Sequence, residues 1–423
     1  MAETLPAIVG APDHGAARLR HAALALVTAG VFFAAYLSFR IGEVLFTLSD
    51  GLFCGALLLT IAAGRLSLSP FGGLTGPWLL AFMLMQLALF ASSIVHGDPV
   101  RWLIVALQYG FAMVVLPMLV IGHGEATTLR MVKALVAGVV AMELLGITVY
   151  YSYTGSYERL SAIVPNFISG GRRLGAFLED GNWNGSVVAM TLPFVFYLRG
   201  RGSIGTVAAT AATLVLVTAL VLAASATALI GSAIALLLYM VVGRVLPSWR
   251  ATVLIVGAVT ALMMAGVAVP QAFGKRIAPA LASQDIAEAG TFAGRMALNE
   301  EAWRIVEHTT ILGLGVDQFR VDSPGRAPVH NTYLLLWSEG GLLALIGWLL
   351  MLTILFGMAL SALRHDRRAG ALALAVLSLF LVASTASPHM YARMWLVPVL
   401  VAIAVAARPA AVARMRAPPS GFD

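Results

Sequence analysis

Residues 328–360 read PVHNTYLLLWSEGGLLALIGWLLMLTILFGMAL. From Tyr333 to Leu360 the only charged side chain is Glu339. A helix rises about 1.5 Å per residue, so this run exceeds the roughly 30 Å hydrocarbon core of a bilayer. It reads as a membrane span, entered from polar ground at His330-Asn331. Upstream lies a polar island from Gln271 to His330, set in a chain that is otherwise mostly apolar.

The composition extends that reading to the whole protein. The 423 residues are 60% hydrophobic and 11% charged, with a mean hydropathy of +0.90. A soluble domain carries roughly a quarter charged residues. The expected class is all-α, a polytopic membrane protein with about twelve transmembrane helices. The spans fall near 22–39, 44–63, 74–95, 102–121, 130–151, 183–198, 204–222, 225–243, 251–269, 333–360, 370–387 and 394–407. Only Ala223 and Ala224 separate the seventh from the eighth, so that pair is a tight hairpin or one long segment. The division is 1–270 for the N-terminal helices, with an outer loop at 152–182; 271–331 for the large loop between spans nine and ten, with short helices; and 332–423 for the C-terminal helices. All belong to one membrane domain. The first span is expected to act as the insertion signal, with no cleaved leader.

Positive residues sort by loop, as topology requires. With the N-terminus inside, the inner segments carry Arg18, Arg20, Arg65, Arg130, Lys133, Arg199, Arg201, Arg244, Arg250, Arg364, Arg367, Arg368, Arg408, Arg414 and Arg416. The short outer loops carry only Arg40, Arg101 and Arg393. Both termini are therefore expected in the cytoplasm, and the segments 152–182 and 271–331 on the outer face. The net charge of +7 reflects topology and not a nucleic-acid partner. No G-x-x-x-x-G-K-S/T motif is present, so outer-face chemistry needs an already activated donor. The lone Cys54 offers neither a disulfide nor a thiolate metal site.

Two outer stretches carry polar chemistry. The first holds Gly170-Gly171-Arg172-Arg173, then RLGAFLEDGNWNG at 173–185. Arg172 and Arg173 suit lipid headgroups as anchors, or grip a phosphate with the bidentate fork that lysine lacks. The second, GRMALNEEAWRIVEHTTILGLGVDQF at 294–319, suggests a surface helix. Its expected apolar face is Met296, Leu298, Trp303 and Val306, with Glu300, Glu301 and Arg304 opposite, and a glycine turn follows at Gly313 and Gly315. Asn331 or Thr332 can cap the next helix, whose N-terminus favours an anion. His330, just before that cap, is a structural hydrogen bonder or a general base; arginines converging from two loops favour the base. Asp317 and Asp322 read as solvated loop carboxylates. With no H-E-x-x-H, paired Cys or Asp-x-Asp in the outer loops, a metal-independent mechanism fits best.

These stretches, with HNTYLLLWSEGGL at 330–342 as the most specific, resemble the O-antigen ligase and Wzy-type polymerase superfamily. The likeness in motifs covers the C-terminal half, and that in architecture the whole chain. It implies a GT-C-like membrane fold in the bacterial inner membrane, with a periplasmic active site. It also implies transfer of a glycan from undecaprenyl diphosphate to an acceptor such as lipid A-core, or polymerisation of repeat units. Arg173 and Arg295 then grip the donor diphosphate, with Arg172 contributing, and His330 activates the acceptor hydroxyl, giving inversion without metal or other cofactor. Asn331 and Asn182 support them, and membrane lipids are the remaining partners. One departure stands out: many family members carry Ser-Arg at the start of a middle span, where this chain has Ser225-Ala226-Thr227. A transporter of lipid-linked oligosaccharides is the reading from another class. It calls for internal repeats and a chain of intramembrane charges, whereas Asp50, Glu143 and Glu339 are few and scattered.

Overall fold

The computed structural model describes residues 14–36, 38–41, 44–245, 292–308, 310–323 and 326–416. The expected ninth span, 251–269, and the first part of the polar island lie outside them.

The described chain is almost all helix: α1 (His14–Phe32), α2 (Leu48–Ala62), α3 (Thr75–His96), α4 (Pro99–Val120), α5 (Glu125–Ser152) and the short α6 (Tyr157–Ile163) come first. They are followed by α7 (Gly181–Gly200), α8 (Thr206–Ala223), α9 (Ala226–Gly243), α10 (Phe292–His308), α11 (Gln318–Asp322), α12 (Thr332–Ala362), α13 (Arg367–Ser384) and α14 (Arg393–Arg416). Eleven of the expected spans coincide with helices in this series. Among the described residues seven helices are long and apolar enough to cross a membrane: α3, α4, α5, α8, α9, α12 and α13. The first two expected spans run too far, because residues 38–47 form an antiparallel hairpin, β1 (Ser38–Ile41) with β2 (Val44–Thr47). The 204–243 stretch is two helices. Ala224 turns the chain in the left-handed region (φ 46°), and the Ser225 side chain caps α9 by accepting from the Ala228 amide (3.4 Å).

Burial separates lipid-facing helices from central ones. α3 and α9 leave Leu80, Leu87, Leu237 and Val241 exposed, an apolar surface suited to lipid. α7 and the first half of α14 are buried along most of their length. Close helix approach depends on small residues: a Cβ at Gly347 of α12 would lie 2.6 Å from the Ala81 carbonyl of α3.

The loops gather at two ends, as alternating spans require. At the end expected inside, Arg201 pairs with Glu125 (3.1 Å) and Asp366 (3.5 Å), and Arg368 donates to the Gly200 carbonyl (2.6 Å). At the other end Arg393 pairs with Asp50 in a buried contact, and the outer segments described next come together.

Candidate active site

α12 is not one continuous helix. Gly341 adopts φ 74°, ψ −177° inside it, which frees the carbonyls of the preceding turn. Unpaired backbone groups at membrane depth cost several kcal/mol each, and here residues 310–316 fill the gap. The Leu314 amide donates to the Ser338 carbonyl (2.8 Å), Gly315 to Glu339 (2.9 Å), and Leu342 donates back to Thr310 (2.9 Å). From α3, the hydroxyls of Ser92 and Ser93 accept from the amides of Gly313 (2.9 Å) and Val316 (3.0 Å). The glycines are sterically required: a Cβ on Gly341 would collide with the Ile311 carbonyl, and one on Gly313 with the backbone at Glu339. The expected glycine turn is thus a re-entrant segment sewn into a broken helix.

That segment delivers Asp317 to the interior. Only 6% exposed, it accepts from Arg320 Nε (2.9 Å) and Nη2 (2.7 Å), and its carboxylate lies 3.1 Å from Arg101 Nε at the start of α4. Burial alone would raise its pKa, but the Arg320 hydrogen bonds and the charges of Arg101, Arg320 and His389 hold it below the usual carboxylate value. The solvated role expected for Asp317 is therefore corrected, whereas Asp322 is exposed as expected.

His330 is partly exposed and directly precedes α12. Asn331 is the cap, its side chain accepting from the amides of Tyr333 (3.0 Å) and Leu334 (3.3 Å). Thr332 instead donates to the Ser387 carbonyl (2.7 Å), which ties this turn to the 385–392 loop. There His389 sits at φ 56°, its ring 5.6 Å from that of Tyr391. Burial pushes the His389 pKa down to about 4, against the upward pull of Asp317. The loop and α12 thus bring His330 into one neighbourhood with His389, Asp317, Arg101 and Arg320.

The arginine pair of the first outer segment lies at the tip of a second hairpin, β3 (Ile168–Ser169) with β4 (Arg173–Leu174). Arg173 is only 5% exposed; its Nε donates to the Ala223 carbonyl (2.9 Å) and its Nη2 to Asn182 Oδ1 (2.7 Å). Asn184 on α7 anchors the hairpin through the Leu174 carbonyl (3.2 Å) and Glu143 (3.4 Å). Arg172, with φ 58°, is the exposed member, lying 5.0 Å over the Tyr150 ring and donating to the Tyr150 carbonyl (3.3 Å). Arg295 belongs to α10, but its side chain is outside the described residues. The buried face of α10 is Ala302 and Val306 with Leu298 and Ile305, while Met296 and Trp303 are exposed, and Trp303 meets Trp337 edge-on at 5.8 Å.

Sequence reasoning missed the site's second histidine. Its signal was faint: His389 beside Pro388 in a short loop that ends at Arg393, one of the few arginines expected outside. Arg101 was visible as another of those exceptions, but its partner, Asp317, is more than 200 positions away.

The architecture is that of a multi-pass helical membrane protein with a polar site where its loops converge at one end of the bundle. Residues 211–349 match the sequence profile of a family described as O-Antigen ligase, Wzy_C. The match supports the resemblance to the O-antigen ligase and Wzy-type superfamily, whose members are glycan-transferring enzymes. It spans α9, α10, the re-entrant segment and His330. No curated protein matches the chain.

Proposed function

We propose that the protein is a lipid-linked glycan transferase on the outer face of the bacterial inner membrane. It moves a glycan from undecaprenyl diphosphate to an acceptor such as lipid A-core. The observation that carries the reading is His330, partly exposed at the capped start of α12 within the family-matched segment, beside a charged cluster that other loops complete. His330 takes the proton of the acceptor hydroxyl. The freed oxygen attacks the anomeric carbon as the carbon–oxygen bond to the diphosphate breaks, and the configuration inverts. The leaving diphosphate needs fixed positive charge, assigned to Arg173 and Arg295 with Arg172.

Arg173 also answers the departure from the family pattern. Its bond to the Ala223 carbonyl brings a guanidinium beside Ser225-Ala226, near the place where many relatives carry arginine. Arg172 then presents its exposed side chain to the donor, with Arg173 supplying charge from behind and Asn182 holding it.

The test is reconstitution in proteoliposomes with purified undecaprenyl-diphosphate glycan and lipid A-core, with and without chelator. Attachment of one preformed glycan per acceptor supports ligation. A ladder growing by repeat units supports Wzy-type polymerisation, the alternative that shares this site. Movement of the donor across the bilayer without any new glycosidic bond would reject both in favour of transport.

A further inference from the structure

Between α3, α4 and α12 a small cavity with largely apolar walls gathers the polar groups of Arg101 and Tyr109 of α4, Asp317 of the re-entrant segment, Glu339 of α12 and His389 of the 385–392 loop. His389 is held there from several sides. Its ring contacts Tyr391, which in turn meets Tyr109 edge-on at 4.6 Å. The charges acting on its imidazole are those of Asp317, Arg101, His330 and Arg320. The hydrogen bond from Thr332 to the Ser387 carbonyl joins the residue two after His330 to the residue two before His389. Finally, His389 has a left-handed backbone, a conformation that costs a non-glycine residue about 1 kcal/mol or more and tends to gather at functional sites.

We propose that His389 is a positioning residue for His330, orienting its ring and coupling it to the Asp317 carboxylate. This rests on His330 being the base. A base that gains a proton becomes an imidazolium, here beside the two positive charges of Arg101 and Arg320. A second charged histidine would oppose that step. Because burial keeps His389 neutral at neutral pH, it adds no positive charge, and its polar ring can hold His330 while Asp317 supplies the countercharge. The logic is that of a carboxylate orienting a catalytic imidazole, with a second imidazole between them.

The experiment measures kcat and KM from pH 5 to 9 in proteoliposomes with the same donor and acceptor, for wild type, His330→Ala, His389→Phe, His389→Asn and His389→Gln. Phenylalanine keeps the ring and its contact with Tyr391; the two amides each restore one polar ring position. The expected result is a fall in kcat of at least about tenfold for His389→Phe, with KM within about twofold and a displaced acid limb of the pH profile. At least one amide variant should recover part of the loss. If His330→Ala is inactive but His389→Phe keeps the wild-type kcat and pH profile, His389 only packs and the proposal falls. Failure of both amides to recover any activity while melting like wild type overturns it too. Normal turnover by His330→Ala would remove the base assignment and this proposal with it.

Discussion

The two ends of the helix bundle solve the same geometric problem in different ways. Among the described residues, left-handed positions at the end expected inside are mostly glycine, at Gly64, Gly72, Gly122 and Gly202, with Arg244 the exception; without a Cβ that conformation is nearly free. At the opposite end the left-handed glycines Gly171, Gly315 and Gly341 are joined by Asn166, Arg172, Ala176, Glu179, Ala224, Asp317, Arg326 and His389, which carry side chains into a conformation that disfavours most of them. Charge follows the same division. The inner pair of Arg201 with Glu125 is water-exposed, whereas Asp50 with Arg393 and Asp317 with Arg101 are largely buried. Strain and buried charge persist only where surrounding contacts hold them. The end expected inside is built mainly to turn the chain, the opposite end to hold particular side chains in place.

The sharpest break in that comparison is Arg393→Ala, which leaves the Asp50 carboxylate buried without its ion-pair partner. Thermal and denaturant unfolding in detergent should show a loss of about 3–5 kcal/mol. Gly341→Ala combines left-handed strain with a Cβ driven into the Ile311 carbonyl, so a loss of about 3 kcal/mol is expected. A re-entrant segment that tolerated this change would not be locked into α12.

Acid should weaken the outer end first. His389 has a depressed folded pKa, about 4 against an ordinary value of 6.5, so the unfolded chain binds the extra proton between those values. Its contribution is complete above about pH 6.5 and is lost as pH falls through about 4; Asp317, also held low, adds a loss in stronger acid. Melting temperature followed from pH 7 to 4 should fall, and His389→Phe should flatten that part of the curve. The smallest effect belongs to Gly202→Ala at the inner end. Its φ is +66° and no atom lies within 4 Å of an added Cβ, so only strain of about 1 kcal/mol remains. A loss as large as that of Gly341→Ala would erase the contrast between the ends.

The helices were legible in the sequence because apolar length alone makes a span, and because arginine sorts by loop. The Asn331 cap and the glycine break at 313–315 were legible for the same local reason. What stayed hidden depends on distant partners. Gly313 and Gly315 announce a turn, but nothing local says that Ser92, Ser93 and the broken α12 receive it. Asp317 looks solvated until Arg101 arrives from another loop. Of the face expected for α10, Leu298 and Val306 pack inward but Met296 and Trp303 do not, because amphipathic Trp303 pairs with Trp337 at the surface and smaller Ala302 fills the interior. Arg173, expected as an open phosphate grip, spends two of its donor nitrogens inside the protein.

The proposed transferase site, at the end of the bundle expected outside, depends on His330 as its base. Its most direct test is glycan transfer by purified His330→Ala in proteoliposomes, beside wild type and with matched melting temperatures as the control for folding. Transfer falling to the level of protein-free vesicles, about a hundredfold or more below wild type, is the result expected. Wild-type turnover by the well-folded variant would contradict it.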